Sequence, residues 1–248
     1  MNYTIAETYE LPSEGKIYSQ TVDPLIKLSS MQTQHELRRL NRTDRPLKTM
    51  ADIIDDCMVD KCGISSYDMC ISDYQFLLHK IRTVTYGPEY KCTTTCPLCG
   101  EQNNSVVNLD EIKITKYSEE FKRYLSFELP KTKDWVSLNI QTPRMLDNIQ
   151  IRTKEKKKDM PTFDGDFEFL ITLMFLIDTI NGEKMNDFQL ENYIKKLPLA
   201  DSNYISNMSN EFVKSFGISN EVEVTCGLCG LVYKSPFRIT SEFYRPSL

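Results

Sequence analysis

The spacing of apolar residues predicts helices through the first third and the middle of the chain. In residues 74–84 apolar side chains recur at intervals of three and four, and Gly87-Pro88 ends the pattern soon afterwards. We therefore expect one amphipathic helix there, capped by Ser72 or Asp73. The same reasoning predicts further helices at residues 33–40, 47–58, 118–124, 144–154, 167–180, 187–196 and 202–216.

Shorter stretches favour extended structure. Residues 9–18 are predicted to be extended with a turn at Pro-Ser-Glu-Gly, and strands are predicted at residues 22–28, 125–129 and 135–141. Together the elements predict an α+β fold, with a mostly helical body and small antiparallel sheets. We divide the chain into an arm (1–30), a helical region (31–90), two ribbon halves (91–110 and 221–248) and a mainly helical insertion (111–220).

Composition narrows the classes of function. The chain has 248 residues, 40% of them hydrophobic and 26% charged, as in an ordinary globular protein. Its 30 basic and 35 acidic residues give a net charge of −5, which argues against binding to nucleic acid or an anionic membrane. The apolar run at 167–180 is too short and too polar to span a bilayer, and the first seven residues do not resemble a secretory signal. We expect an intracellular protein.

Eight cysteines are the unusual feature, and four of them form two similar segments. Cys96-Pro97-Leu98-Cys99-Gly100 and Cys226-Gly227-Leu228-Cys229-Gly230 are both C-x-x-C-G knuckles between extended stretches. Two intervening residues allow both thiolates of a knuckle to bind one ion, and four thiolates complete the tetrahedral shell of a structural Zn²⁺. The sequence therefore predicts a zinc ribbon with Cys96, Cys99, Cys226 and Cys229 as ligands.

Two alternatives bear on this site. The knuckles lie 127 positions apart, and a single C-x-x-C pair is also typical of thioredoxin-like redox proteins, in which a helix follows the pair. Here strand-like sequence follows both pairs, which favours the metal site. Cys92 is close enough in sequence to be an alternative ligand, whereas we interpret Cys57, Cys62 and Cys70 as buried thiols of the core.

Candidates for catalysis are few. His35 and His79 are the two histidines of the chain, and neither lies in a recognisable catalytic or phosphate-binding motif. A closed four-thiolate site does not activate water. We therefore expect no catalytic residues. A nucleic-acid-binding zinc ribbon is a further alternative, but acidic residues such as Glu101, Glu221 and Glu223 outnumber lysines beside the knuckles.

Several segments together resemble the baseplate hub and hub-assembly proteins of T4-like tailed bacteriophages. The matching segments are Leu11-Pro12-Ser13-x-Gly15-x-x-Tyr18, Asp73-x-x-x-Leu77-Leu78-x-x-x-Arg82-x-x-x-Tyr86-Gly87-x-x-Tyr90, the two C-x-x-C knuckles, and Phe243-Tyr244-Arg245-Pro246. They are distributed over most of the chain, and no catalytic residue comes with the resemblance.

The resemblance implies a non-enzymatic protein whose zinc ribbon is structural and whose partners are phage baseplate hub proteins. The chain length favours an assembly factor in the host cytoplasm over a structural component that is retained in the virion tail baseplate. The candidate partner-binding residues are the aromatic and apolar side chains of the two end segments, which equally well cap the protein's own core: Tyr9, Leu11, Tyr18, Phe243 and Tyr244.

Overall fold

One helix, Ile71–Tyr86, forms the centre of the fold and is buried along most of its length. The computed structural model describes residues 5–160, 165–219, 221–236 and 241–244. Buried side chains of this helix include leucines such as Leu77 and also the charged Lys80 and Arg82. Because the helix has almost no solvent face, its polar groups depend on partners from the elements packed around it.

The central helix is α3, and the other elements are numbered in chain order. The remaining helices are α1 (Thr33–Arg39), α2 (Pro46–Cys57), α4 (Pro143–Asp159), α5 (Phe167–Leu176), α6 (Asp187–Lys196) and α7 (Leu199–Ser215). The strands are β1 (Ala6–Glu10), β2 (Leu25–Ser29), β3 (Glu89–Thr95), β4 (Gln102–Asn108), β5 (Ile114–Thr115), β6 (Ser126–Glu128), β7 (Trp135–Leu138), β8 (Ile177–Ile180), β9 (Gly217–Ile218), β10 (Glu221–Thr225) and β11 (Val232–Pro236). Short 3₁₀ turns occupy Leu109–Glu111, Glu119–Tyr124 and Ser241–Tyr244.

The sheets are small, and every strand pair in the described residues is antiparallel. Strands β1 and β2, β3 and β4, β5 and β9, and β10 and β11 form separate two-stranded pairs. Strands β6, β7 and β8 form a three-stranded sheet. The predicted combination of helices with small antiparallel sheets is therefore confirmed.

Apolar side chains form two main cores. The larger surrounds α3 and draws on β2, α2 and both cysteine-bearing hairpins, with Ile26, Ile54, Ile81 and Val224 among its members. The second lies in the insertion, where the three-stranded sheet packs on α5, α6 and α7. In the described part of the chain, no helix has the length and apolar character needed to cross a membrane.

One predicted helix is wrong in its second half. The apolar run from 167 to 180 forms α5 only as far as Leu176, and Ile177–Ile180 is strand β8, which pairs with β7. The run is apolar on nearly all sides, so periodicity does not distinguish helix from strand there. The β-branched Ile177, Thr179 and Ile180 favour the strand, and pairing with β7 satisfies its backbone.

A buried carboxylate of α3 binds the Leu11–Tyr18 segment of the arm. Asp73 is fully buried, and its Oδ1 accepts a hydrogen bond of 3.0 Å from the Ser13 backbone N–H. Its Oδ2 accepts from the hydroxyl of Ser13 and, at 2.6 Å, from that of Tyr18. Burial raises the pKa of Asp73, while the hydrogen bonds from Ser13 and Tyr18 oppose the rise.

Gly15 makes the turn of this arm possible. Its φ is +72°, in the left-handed region, and a Cβ atom there would lie 2.6 Å from the carbonyl oxygen of Val22. The Gly15 N–H also donates to the Ser13 hydroxyl at 3.1 Å. The glycine in the Leu-Pro-Ser-x-Gly pattern thus allows the chain to turn and places Ser13 against Asp73.

The described part of the last residues packs on the same helix. Phe243 is fully buried with its ring centroid 5.3 Å from that of Tyr90, and the Tyr244 hydroxyl donates to the Leu78 carbonyl at 3.0 Å. The Arg82 guanidinium lies 5.8 Å from the Phe243 ring and donates to the carbonyl of Glu89 at 2.9 Å and to that of Gly87. Both end segments therefore complete the surroundings of α3.

We predict that Tyr18→Phe lowers the free energy of unfolding by about 1–3 kcal/mol. The change removes a donor to the buried Asp73 carboxylate and an acceptor for the Cys70 backbone N–H, which lies 3.2 Å from the hydroxyl. Urea unfolding followed by circular dichroism measures the difference.

Tyr9→Phe is the matched control on the same arm. The Tyr9 hydroxyl donates to the exposed Glu7 at 2.6 Å, so its loss should change stability by less than about 0.5 kcal/mol. Equal effects of the two substitutions would contradict the role given to the Asp73 contacts.

Candidate metal centre

The two knuckles have the same local structure. In the first, Cys96 N–H donates to Glu101 O at 2.8 Å and Gly100 N–H donates to Cys96 O at 3.0 Å. In the second, Cys226 donates to Leu231 and Gly230 to Cys226, at the same two distances. Gly100 and Gly230 have φ values of +75° and +72°, so each knuckle closes through a left-handed glycine.

The hairpins bring the four predicted cysteine ligands together. Hairpin β3–β4 carries Cys96 and Cys99 in its turn, and hairpin β10–β11 carries Cys226 and Cys229. The Cys96 and Cys229 sulfurs lie 3.7 Å apart, and the Cys99 and Cys226 sulfurs 3.6 Å apart. All four Sγ atoms lie within 4.8 Å of one another.

These separations fit a metal ion better than a disulfide. A disulfide needs sulfurs about 2.05 Å apart, and all four cysteines are free thiols. In a tetrahedral zinc site with bonds of about 2.3 Å, neighbouring sulfurs lie about 3.8 Å apart. The donor set is four sulfurs, so the arrangement suits a soft or borderline ion such as Zn²⁺ and leaves no open position on it.

The thiols of the cluster differ in acidity. The backbone N–H groups of Cys229 and Leu228 lower the pKa of the Cys226 thiol to about 6, whereas desolvation and neighbouring thiols raise the pKa of Cys99 to about 12 and also raise that of Cys229. Cys226 and Cys96 are buried, whereas Cys99 and Cys229 are exposed. A metal ion here would be held from the protein side by two interior ligands and covered by two at the surface.

Asn103 connects the two hairpins beside the cysteines. Its Oδ1 accepts from the Gly227 N–H at 2.9 Å, and its Nδ2 lies 3.6 Å from the Cys226 sulfur and 3.3 Å from the Tyr233 hydroxyl. The same hydroxyl lies 2.6 Å from Thr94 Oγ1. Sequence reasoning missed Asn103, because no spacing rule marks an asparagine that contacts a knuckle more than 120 positions away.

The remaining cysteines lie outside the group of four. Cys92 is a half-buried residue of β3 opposite Ser105, and it does not belong to the metal-ligand cluster. Cys57, Cys62 and Cys70 are buried, in agreement with their interpretation as core thiols. Strands β4 and β11 follow the knuckles where a thioredoxin-type pair would be followed by a helix.

The candidate partner-binding residues lie largely in the interior. Leu11 and Phe243 are 0% exposed and Tyr244 is 4% exposed. Tyr9 and Tyr18 are half-buried, and the Tyr9 ring packs edge-on against Phe76 with centroids 6.3 Å apart. The fold uses these side chains for its own packing, and their contact with a partner stays a prediction that would require the buried ones to leave the core.

The large exposed apolar side chains lie elsewhere. Leu98 and Leu228 occupy equivalent positions at the tips of the two knuckles and are 70% and 68% exposed. Val106 in β4 and Val232 in β11 are also exposed. The internal similarity of the two C-x-x-C-G segments is the sequence signal that would have identified the two leucines as a pair.

Comparison with known proteins identifies the family. No curated protein and no solved structure matches this chain. A family model described as T4 bacteriophage base plate protein matches residues 4–243, nearly the whole chain. The match includes the arm, the central helix, the insertion and both knuckles. The chain therefore belongs to the T4 bacteriophage base plate protein family.

Proposed function

We propose that this protein is a non-enzymatic assembly factor for the baseplate hub of a contractile-tailed phage, and that one structural zinc ion joins its two knuckles. The observation that carries the proposal is the family match over residues 4–243, which supports a role in the baseplate and contact with other baseplate proteins. The location it favours is the tail baseplate, with the host cytoplasm as the place of assembly.

The geometry of the cysteines supports zinc. Four sulfurs within 4.8 Å of one another come from two hairpins that share no strand, so an ion between them would stabilise their relative position. Cys96, Cys99, Cys226 and Cys229 would hold the ion, which supplies a cross-link and no chemistry on a substrate. The Asn103 contacts strengthen the same junction.

A non-enzymatic role agrees with the placement of the reactive side chains. His35 and His79 are both buried, and desolvation lowers the pKa of each. The buried Asp73 carboxylate accepts hydrogen bonds from Ser13 and Tyr18. The surface of the two hairpins instead carries exposed apolar side chains, which suit contact with other proteins.

Two other roles compete with the proposal. A structural component retained in the virion would share every feature described above and differ in whether it stays in the finished particle. A nucleic-acid-binding ribbon would need a basic surface, but Glu221 lies beside Lys234, with 3.5 Å between Oε2 and Nζ, and Glu101 and Glu223 add further negative charge.

We predict that the purified chain contains one zinc ion and that Cys99→Ser or Cys229→Ser removes it. Structural zinc sites have apparent binding free energies of about 10–16 kcal/mol, so loss of the ion should unfold the two hairpins. Metal analysis by mass spectrometry measures the zinc, and amide hydrogen exchange measures the loss of protection in β3, β4, β10 and β11.

Cys92→Ser is the matched control, because Cys92 lies four positions before the first ligand and outside the cluster. The Cys92→Ser variant should retain one zinc ion and show the same amide hydrogen exchange as wild type. Zinc loss in the Cys92 variant, or a folded wild-type chain that binds no metal under zinc-replete conditions, would contradict the proposed site.

We predict that the protein is present in infected cells with hub precursors and absent from finished tails. Quantitative mass spectrometry of a cell extract and of purified tails from the same culture measures both amounts. A fixed ratio to hub proteins in the purified tails would instead support the structural component. A known hub protein that is retained in the tail serves as the internal control for recovery.

A further inference from the structure

A groove of about 650 Å³ separates the two cysteine-bearing hairpins. Its walls are residues 105–108 of β4 and residues 221–225 of β10. Consecutive residues of each strand line the groove, although successive side chains of a strand point to opposite faces. The strands therefore present their edges to the groove, and an edge carries backbone N–H and C=O groups.

The register shows which backbone groups of β4 point into the groove. Cys96 N–H donates to Glu101 O at one end of the β3–β4 hairpin, and Leu109 N–H donates to Pro88 O at the other. Hydrogen-bonded and non-bonded pairs alternate in an antiparallel ladder, so the Lys91 and Val106 pair is non-bonded. The N–H and C=O groups of Val106, like those of Asn104, point away from β3.

The same reasoning applies to β10. Cys226 N–H donates to Leu231 O, so Glu223 and Thr225 occupy non-bonded pairs and direct their N–H and C=O groups away from β11. Pro236, which lacks an N–H, occupies the non-bonded position opposite Glu221, as this register requires. Among the described residues, no third strand pairs with β4 or with β10.

The groove is closed at both ends and open between them. At the cysteine end, Asn103 Oδ1 accepts from Gly227 N–H at 2.9 Å. At the far end, Ser219 N–H donates to Lys113 O at 2.9 Å, next to the β5–β9 pair. The hairpins are thus held at two points, and the gap between them extends along the five residues of β10, about 17 Å of strand.

The two faces of the groove differ in chemistry. The buried side chains of Val222, Val224 and Ile112 line its inner face. The exposed side chains of Glu221, Glu223 and Lys234 lie on the outer face, where Lys234 Nζ is 3.5 Å from Glu221 Oε2. A strand placed between β4 and β10 would direct alternate side chains to the apolar inner face and to this polar outer face.

We infer that the groove between β4 and β10 binds an extended segment of another baseplate protein, which adds as a strand between the two hairpins. Unpaired backbone groups on both walls select a polypeptide backbone, and the faces select alternating apolar and polar side chains. The inference rests on the proposed function for the source of the segment. Because β4 leads away from the cysteines and β10 toward them, the added strand is antiparallel to one wall and parallel to the other.

Proline substitutions test the edges. Val106→Pro and Glu223→Pro each remove an N–H that faces the groove and leave the hydrogen bonds within the hairpin in place. Val106→Ala and Glu223→Ala keep the N–H and are the controls for the side chains. Lys91→Pro is the matched control, since it removes the N–H on the outer edge of β3 in the same residue pair as Val106.

The probes are overlapping synthetic 14-residue peptides that cover the other baseplate proteins of the same phage. Fluorescence anisotropy measures their binding to the zinc-loaded full chain. We expect at least one peptide of alternating apolar and polar residues to bind, and both groove prolines to weaken its binding by about tenfold or more, since each removes a main-chain hydrogen bond and adds a ring. The alanine variants and Lys91→Pro should bind within about threefold of wild type.

Other results overturn the inference. If Lys91→Pro and Val106→Pro weaken peptide binding equally, the substitutions act on the hairpin in general and not on the groove. If this chain forms a dimer that Val106→Pro abolishes, the occupant of the groove is a second copy of the chain. If full-length baseplate proteins bind wild type and both groove-proline variants equally, the groove is not used while the proposed function stands. If no baseplate protein binds wild type, the proposed function itself fails.

Discussion

A helix that is buried on nearly all sides must find partners inside the protein for every charged or polar group that it carries, because water does not reach them. In α3 two charged side chains find such partners. Asp73 takes hydrogen bonds from Ser13 and Tyr18 of the arm, 60 and 55 positions earlier in the chain, and Arg82 donates to the nearby carbonyl groups of Gly87 and Glu89. The arm, the first hairpin and the Phe243-Tyr244 segment are positioned by their contacts with this one helix.

The cysteine cluster imposes a second long-range constraint, and the entropy lost on closing the loop between the knuckles is modest. The knuckles of a ribbon are commonly separated by about 15–20 residues, and here they are 127 positions apart, which is that length doubled about three times. Each doubling adds only about 0.6 kcal/mol of loop-closure entropy, so the longer loop costs about 2 kcal/mol. The zinc ion that we propose would exceed this cost several times over. The β5–β9 pair closes the base of the insertion and shortens the effective loop further.

Sequence reasoning succeeded where one local rule decides the structure. The predicted helix at 187–196 is α6, which begins at a capping box formed by Asn186 and Gln189, and the C-x-x-C-G spacing identified the four clustered cysteines. It failed where tertiary context decides. The change from α5 to β8 depends on pairing with β7, and the placement of the aromatic end segments depends on an interior that only α3 creates. Exposed and buried tyrosines look the same in a sequence.

The distance between the knuckles also has a consequence in time. A ribosome adds about 5–20 residues per second, so Cys226 follows Cys99 into the growing chain after roughly 6–25 s. During that interval the first hairpin offers two thiolates and half of a coordination shell. A tight site would form only when the second hairpin arrives, after the whole insertion has been synthesised and has had time to fold. Metal capture would thus report that the insertion has been made, and a chain interrupted before Cys226 would keep an open, weakly binding pair of cysteines.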